Sequence, residues 1–278
     1  MTRTLLAAVS VAILLPVLAY AQEQPGGLSV AQPLPGPKAP EPEGIVGNGG
    51  WLFADSPYVP ETLQPVVISR FSYSDTTSLT RPFSANVGAP GAAVELGGEL
   101  GLGAGFSLQA VALAGTDYTS GGGQAGGTAG IRFSAFPRSW EHWQLVVSSG
   151  YLHELSGGNG VWLTLQGGFT TGPVRAQLSV NAQHVFQADR DNADIMVTAG
   201  VAVKLVSFFS LGVEYLGQDL ESVFTPDGDA EGGARQMLGP TLAFAFFEDK
   251  LSIVAGPALS MGTSNVHLIG RLAVSYGF

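Results

Sequence analysis

The chain has no cysteine among its 278 residues. That removes disulfides, thiolate metal sites, thiol nucleophiles and a lipidated cysteine from consideration. It is also poor in charge: Asp, Glu, Lys and Arg make up 12%, about half the roughly 25% of ordinary soluble domains. The charge that is present is acidic, net −10, which argues against nucleic acid as a partner, since such a ligand needs a basic face. Beyond the first residues no apolar run approaches the ~20 residues of a transmembrane helix. A chain with so few charges and 45% hydrophobic residues must still place its apolar surface. Strands that alternate, apolar toward lipid and polar or small toward an interior, do this without any long hydrophobic run.

The first residues read as a secretory signal peptide over 1–21. Arg3 gives a positive start, Leu5 to Leu18 an apolar run, and Ala19-Tyr20-Ala21 a small-residue cleavage signature. Residues 22–65 are rich in Pro and Gly, a composition that predicts an extended, partly polyproline-like periplasmic linker. Within it, GNGGWLFADSPYVPE concentrates Trp51, Leu52 and Phe53. That apolar patch either docks on something or is part of the tether, and the question of whether residues 46–60 plug an interior stays open at this stage.

From residue 66 the period becomes two, the signature of strands. Alternating segments are predicted at 66–74, 92–101, 105–114, 125–135, 142–153, 160–168, 174–186, 194–204, 208–217, 234–246, 250–260 and 265–278. Their length, about 9–13 residues, suits a tilted strand crossing a bilayer. In 174–186 the apolar set Val174, Ala176, Leu178, Val180 and Ala182 opposes Arg175, Gln177, Ser179, Asn181 and Gln183. The connections alternate between mostly short turns and longer Gly- or Asp-rich loops. Arg70 and Ser69 blur the alternation of 66–74, so a ten-strand arrangement is the alternative to twelve. Pro240 and Pro257 come to lie opposite each other if the chain turns tightly at Glu248-Asp249. Proline cannot donate to a ladder, so a bulge or thinned hydrogen bonding is expected there.

The final strand, NVHLIGRLAVSYGF, alternates through Leu268, Leu272, Val274 and Tyr276 to a terminal Phe278. With the signal peptide, the missing cysteines and the repeated amphipathic strands, the chain resembles Gram-negative outer-membrane β-barrel proteins over residues 66–278. The resemblance implies an all-β, antiparallel up-and-down transmembrane barrel in the bacterial outer membrane. It also implies that Tyr276 and Phe278 form the signal read by the barrel-assembly machinery, and that outer-membrane lipid and lipopolysaccharide surround the protein. Trp140, Trp143, Tyr151, Phe246, Phe247, Tyr276 and Phe278 fall at strand ends, where aromatic girdles form.

The inward faces collect Glu95, Glu99, Arg132, Arg175, Lys204, Glu214, Arg235, His267 and Arg271 as lumen-lining candidates. With Arg70 added, cations exceed carboxylates, and a weakly anion-selective lumen is expected. The same residues could instead form a hydrogen-bonded filling. Catalytic chemistry is not expected, because none of His142, His153, His184 and His267 has a nucleophile or triad partner in the sequence. The acidic loop at 218–233, with Asp219, Glu221, Asp227, Asp229 and Glu231, lacks the spacing of a calcium loop and reads as solvated. No motif for a metal or cofactor is found: the runs GLGAG and GGGQAGG lack the Lys-Ser/Thr of a phosphate cradle. The expected function is narrow passive passage of small solutes or a structural envelope role. The alternatives are a secreted soluble β-sandwich that binds ligand and an outer-membrane barrel enzyme.

Overall fold

Alternation of apolar and polar residues lets each strand present one face to each solvent, and the backbone groups of all strands are satisfied when the sheet closes on itself. The computed structural model describes residues 51–52, 56–74, 91–117, 123–136, 142–155, 158–186, 194–218, 220, 235–261 and 266–278. The signal peptide, residues 22–50, Phe53, Trp140 and nearly all of the acidic loop lie outside the described residues. The strands are β1 (Pro65–Ser74), β2 (Gly91–Gly103), β3 (Phe106–Asp117), β4 (Gly123–Ser134), β5 (Trp143–Glu154) and β6 (Gly158–Thr171). They continue as β7 (Val174–Val185), β8 (Asp194–Val206), β9 (Phe209–Gln218), β10 (Arg235–Phe246), β11 (Leu251–Met261) and β12 (Val266–Gly277). Each pairs antiparallel with its neighbours in sequence, and β1 pairs with β12 to close the barrel. One closed sheet replaces the two packed sheets of a sandwich, and twelve strands replace the ten-strand alternative. β1 is a full member of the wall, running from Val66 opposite Gly277 to Ser74 opposite Ile269.

The facing follows the sequence period. Leu178, Val201, Val213 and Leu163 point outward and are more than half exposed, whereas Gln177, Ala202, Gly212 and Thr164 beside them are buried. An outer surface this apolar and this continuous is that of a barrel embedded in lipid. Aromatic rings gather at the rims. Phe106 stacks on Phe133 at 4.6 Å, Trp143 on Phe169 at 4.6 Å, Phe209 on Phe244 at 5.1 Å and Tyr276 on Phe278 at 4.8 Å, all at the end that carries the short turns. Both Pro65 and Phe278 lie at that same end, where the Phe278 N–H donates to the Pro65 carbonyl at 3.2 Å.

Pairing between β10 and β11 holds at Leu238 opposite Leu259 and again at Leu242 opposite Ala255. Between these points the ladder is interrupted, with Pro240 directly across from Pro257 at the offset both flanks share. The expected thinning is present. There is no bulge, because the register is the same on either side.

Leu272 is 41% exposed in the middle of β12, flanked by Phe71 and Ala255. Leu272→Arg should cost about 2–4 kcal/mol in a urea folding titration in lipid vesicles, while Leu272→Ile should be close to neutral. Equal behaviour of the two would show that this face does not meet lipid.

Candidate functional site

The interior wall is polar on β1–β7 and charged at a few levels. Glu95, Glu99, Arg132, Glu214 and Arg271 are buried inside the barrel. Arg175 and Lys204 are half-buried on the inward side near the short-turn rim. Arg235 and His267 belong to β10 and β12, but their side chains lie outside the described residues. Charges taken from bulk water need partners, and two pairs form directly. Arg70 Nη1 donates to Glu95 Oε2 at 3.1 Å, and Arg132 Nη1 to Glu99 Oε2 at 2.5 Å. Glu99 also accepts from Ser107 Oγ at 2.5 Å.

Sequence reading missed Asp194, a buried carboxylate at the start of β8 that accepts from Gln183 Nε2 at 2.8 Å. It sits one residue before the apolar set of that strand, where alternation alone would have turned it inward. Among the described residues the wall therefore sets Arg70, Arg132, Arg175, Lys204 and Arg271 against Glu95, Glu99, Glu154, Asp194 and Glu214. These described groups balance, whereas the sequence-based set was cationic.

The segment before β1 does not leave the barrel as a tether. It turns inward. At the rim, Leu63 adopts φ 61° and its N–H donates to the Gly101 carbonyl at 2.8 Å. The Gly101 N–H donates in turn to the Gln64 carbonyl at 3.2 Å. Only glycine allows this approach: a Cβ on Gly101 would stand 1.8 Å from the Glu61 carbonyl oxygen. Deeper in, Ser56 is fully buried and its carbonyl accepts from Arg132 Nη2 at 2.5 Å, so the guanidinium ties this segment to Glu99 on the wall. Pro57 packs where Gly168 has no side chain, and the Tyr58 hydroxyl lies 3.3 Å from Thr170 Oγ1.

Trp51 and Leu52 reach the level of Gly200 and Glu214, a directly paired couple midway along β8 and β9. Their exposures are 2% and 3%. The Leu52 N–H donates to both carboxylate oxygens of Glu214, at 2.8 and 3.0 Å. The Leu52 side chain packs among Ala243, Val254 and Ala273. The Trp51 ring fills the space left by Gly200, where a Cβ would lie 2.7 Å from Cζ3. The Arg175 guanidinium stands 5.8 Å from the indole centroid, a cation–π distance. The apolar patch singled out in the sequence is thus the innermost described part of a plug.

On the long-loop side of the barrel interior, Arg70, Gln109, Ser148, Trp162, Gln166 and Asn181 line a cavity of about 40 Å³, room for a few water molecules. The opposite, short-turn rim carries an open recess of about 500 Å³ between residues 58–62 and the turns at 103–105 and 133–136. The described histidine side chains stand apart from one another. His142 Nδ1 lies 2.9 Å from the Thr170 carbonyl, His153 Nδ1 lies 2.7 Å from Asn159 Oδ1, and the His184 ring packs edge-on against Phe186.

No protein-family model matches the chain, and no curated protein matches it in sequence. Solved structures do match the fold. The KdgM porin in complex with disordered oligogalacturonate aligns with a TM-score of 0.52 at 12% identity, covering 77% of this chain and 99% of that one. The NanC porin aligns with a TM-score of 0.53 at 10% identity, over 76% and 98%. An outer membrane channel from Pseudomonas putida F1 aligns with a TM-score of 0.50 at 10% identity, over 79% and 97%. At these identities the likeness is one of architecture, and the architecture is that of outer-membrane porins and channels.

Proposed function

We propose that this protein is a narrow passive pore of the outer membrane, held closed by its own N-terminal segment. The observation that carries the reading is the seating of Trp51 and Leu52 inside the barrel on Glu214, Gly200 and Arg175. A twelve-stranded barrel lies between small barrels filled by their own side chains and wide water-filled porins. Here the chain itself supplies the missing filling. When the segment moves aside, the polar wall of β1–β7 lines a path suited to small hydrophilic solutes. The role is passage, not catalysis. Glu95, Glu99, Arg132, Arg175, Lys204, Glu214, Arg235, His267 and Arg271 act as wall groups that set selectivity or hold the plug. Lipid and lipopolysaccharide surround the apolar outer face, and the barrel-assembly machinery reads the terminal strand through Tyr276 and Phe278.

Truncating a buried Trp removes about 3–5 kcal/mol of packing. Trp51→Ala combined with Leu52→Ala should therefore convert rare, small openings in planar bilayers into a persistent conductance. Unchanged conductance would mean that this segment is not the gate, and silence in both proteins would favour a filled, structural barrel. Glu99→Gln strips Arg132 of its ion-pair partner at a site where both side chains are 1% exposed. A loss of roughly 3–5 kcal/mol is expected for a broken buried pair, read as a lowered urea midpoint of the heat-modifiable folded band. Lys204 faces inward near the short-turn rim. Lys204→Glu in the opened variant should move a weakly anion-selective reversal potential toward cations, because pore selectivity follows local wall charge. A cation-selective potential before that change would overturn the assignment of the wall.

A further inference from the structure

We infer that the interrupted seam between β10 and β11 is a lateral portal, through which small apolar molecules pass between the barrel interior and the bilayer, with Leu52 as its inner stopper. This rests on the reading of the protein as a plugged pore and adds a second route and a second solute class to it.

The seam combines three features. First, the irregularities in the other described ladders, at Gly101/Gly103 and Lys204/Val206, fall at the short-turn rim, whereas this interruption falls mid-wall. Gly239, Pro240 and Thr241 face Ala258, Pro257 and Gly256 without ladder pairing. A wall in lipid depends on continuous pairing, since an unmade backbone hydrogen bond has no water to replace it. Two opposed prolines remove two donors at one level, and both rings point outward.

Second, the strands remain in contact through glycine. A Cβ on Gly239 would lie 2.1 Å from the Pro257 carbonyl oxygen, and one on Gly256 would lie 2.1 Å from that of Pro240. The contact is steric, not hydrogen-bonded, so parting the strands here costs less than elsewhere in the wall.

Third, apolar clusters flank the inner side of the seam. Met237 and Ala258 belong to one buried apolar cluster on the long-loop side of the seam, and Ala243 and Val254 to another on the short-turn side. The Leu52 side chain stands directly behind, its Cδ1 3.2 Å from where a Gly256 Cβ would be. The polar groups at this level are Thr241, Glu214 opposite Gly239, whose carboxylate takes the Leu52 N–H, and Arg271 opposite Gly256. An apolar molecule or an acyl chain leaving the interior meets these flanking clusters and the outward proline rings, and gains by keeping that surface from water.

The test uses cells carrying the full chain with the plug opened by Trp51→Ala and Leu52→Ala. Cysteine pairs Leu238→Cys with Leu259→Cys, and Leu242→Cys with Ala255→Cys, bracket the seam at directly opposed positions. They stand on the outward face, and no native cysteine competes. Entry of N-phenyl-1-naphthylamine, an apolar dye that the lipopolysaccharide leaflet excludes, is followed by fluorescence, and ion conductance of the same proteins is recorded in planar bilayers. The portal predicts dye entry above that of cells without the protein, its loss when both disulfides are formed, its return on reduction, and ion conductance unaffected by locking.

Pro240→Val with Pro257→Thr supplies the missing donors without a crosslink and should likewise abolish dye entry. Dye entry unchanged by complete crosslinking overturns the portal. So does ion conductance without any dye entry, which leaves the pore reading standing. Absence of both overturns the two readings together.

Discussion

Everything in this molecule depends on satisfying the peptide backbone where water is absent. An N–H or C=O left unpaired in hydrocarbon costs several kcal/mol, so the sheet has to close. The β1–β12 pairing, from Val66–Gly277 to Ser74–Ile269, supplies that closure. With closure come antiparallel neighbours throughout, an even strand number with the start of β1 and the end of β12 at one rim, and two faces for every strand. The mid-wall gap at Pro240 and Pro257 gains its meaning from the same constraint, because a break in such a ladder cannot be repaired by solvent.

Closure creates a second problem, which is what fills the inside. Twelve strands enclose more space than the side chains of β1–β7 occupy. Much of the inner wall carries glycine or alanine, as at Gly168, Gly200, Ala202, Ala243 and Ala273. Trp51, Leu52 and the start of the stretch 56–64 occupy that space, and the wall is cut to receive them. Gly101 and Gly200 make room, and Glu214 accepts the Leu52 N–H. The Arg132 guanidinium bridges Glu99 and the Ser56 carbonyl, so one group neutralises a buried carboxylate and anchors the plug. On the proposed reading, function turns on how firmly this short stretch of chain is held.

Much of this was legible in the residues because strand alternation is local. The facing of Leu178 against Gln177, or of Val201 against Ala202, follows from their neighbours in the chain. The even count followed from the alternation of short and long connections, and the opposed prolines from counting outward from Glu248-Asp249. What could not be read was the destination of Trp51 and Leu52. Leu52 is separated from Glu214 by 162 positions, and nothing within its own stretch distinguishes a docking patch from an apolar spot in a linker. The one available signal was on the other side: inward glycines at 101, 168 and 200 leave a groove that asks for an occupant. The balance of charge in the lumen was legible only in part for a related reason. Listing inward cations overlooked Asp194 and could not see that Arg70 and Arg132 meet Glu95 and Glu99.

The sequence by itself determined the strands, their two faces and the medium each face meets, because a period of two in hydrophobicity is a property of adjacent residues. Only the tertiary structure decided that the barrel is plugged, which charges neutralise each other, and that Leu52 stands behind the interrupted seam with apolar clusters on either side. Each of these depends on residues from distant strands arriving at one level of the barrel, and that level is set by register and closure, which no single stretch of the chain contains.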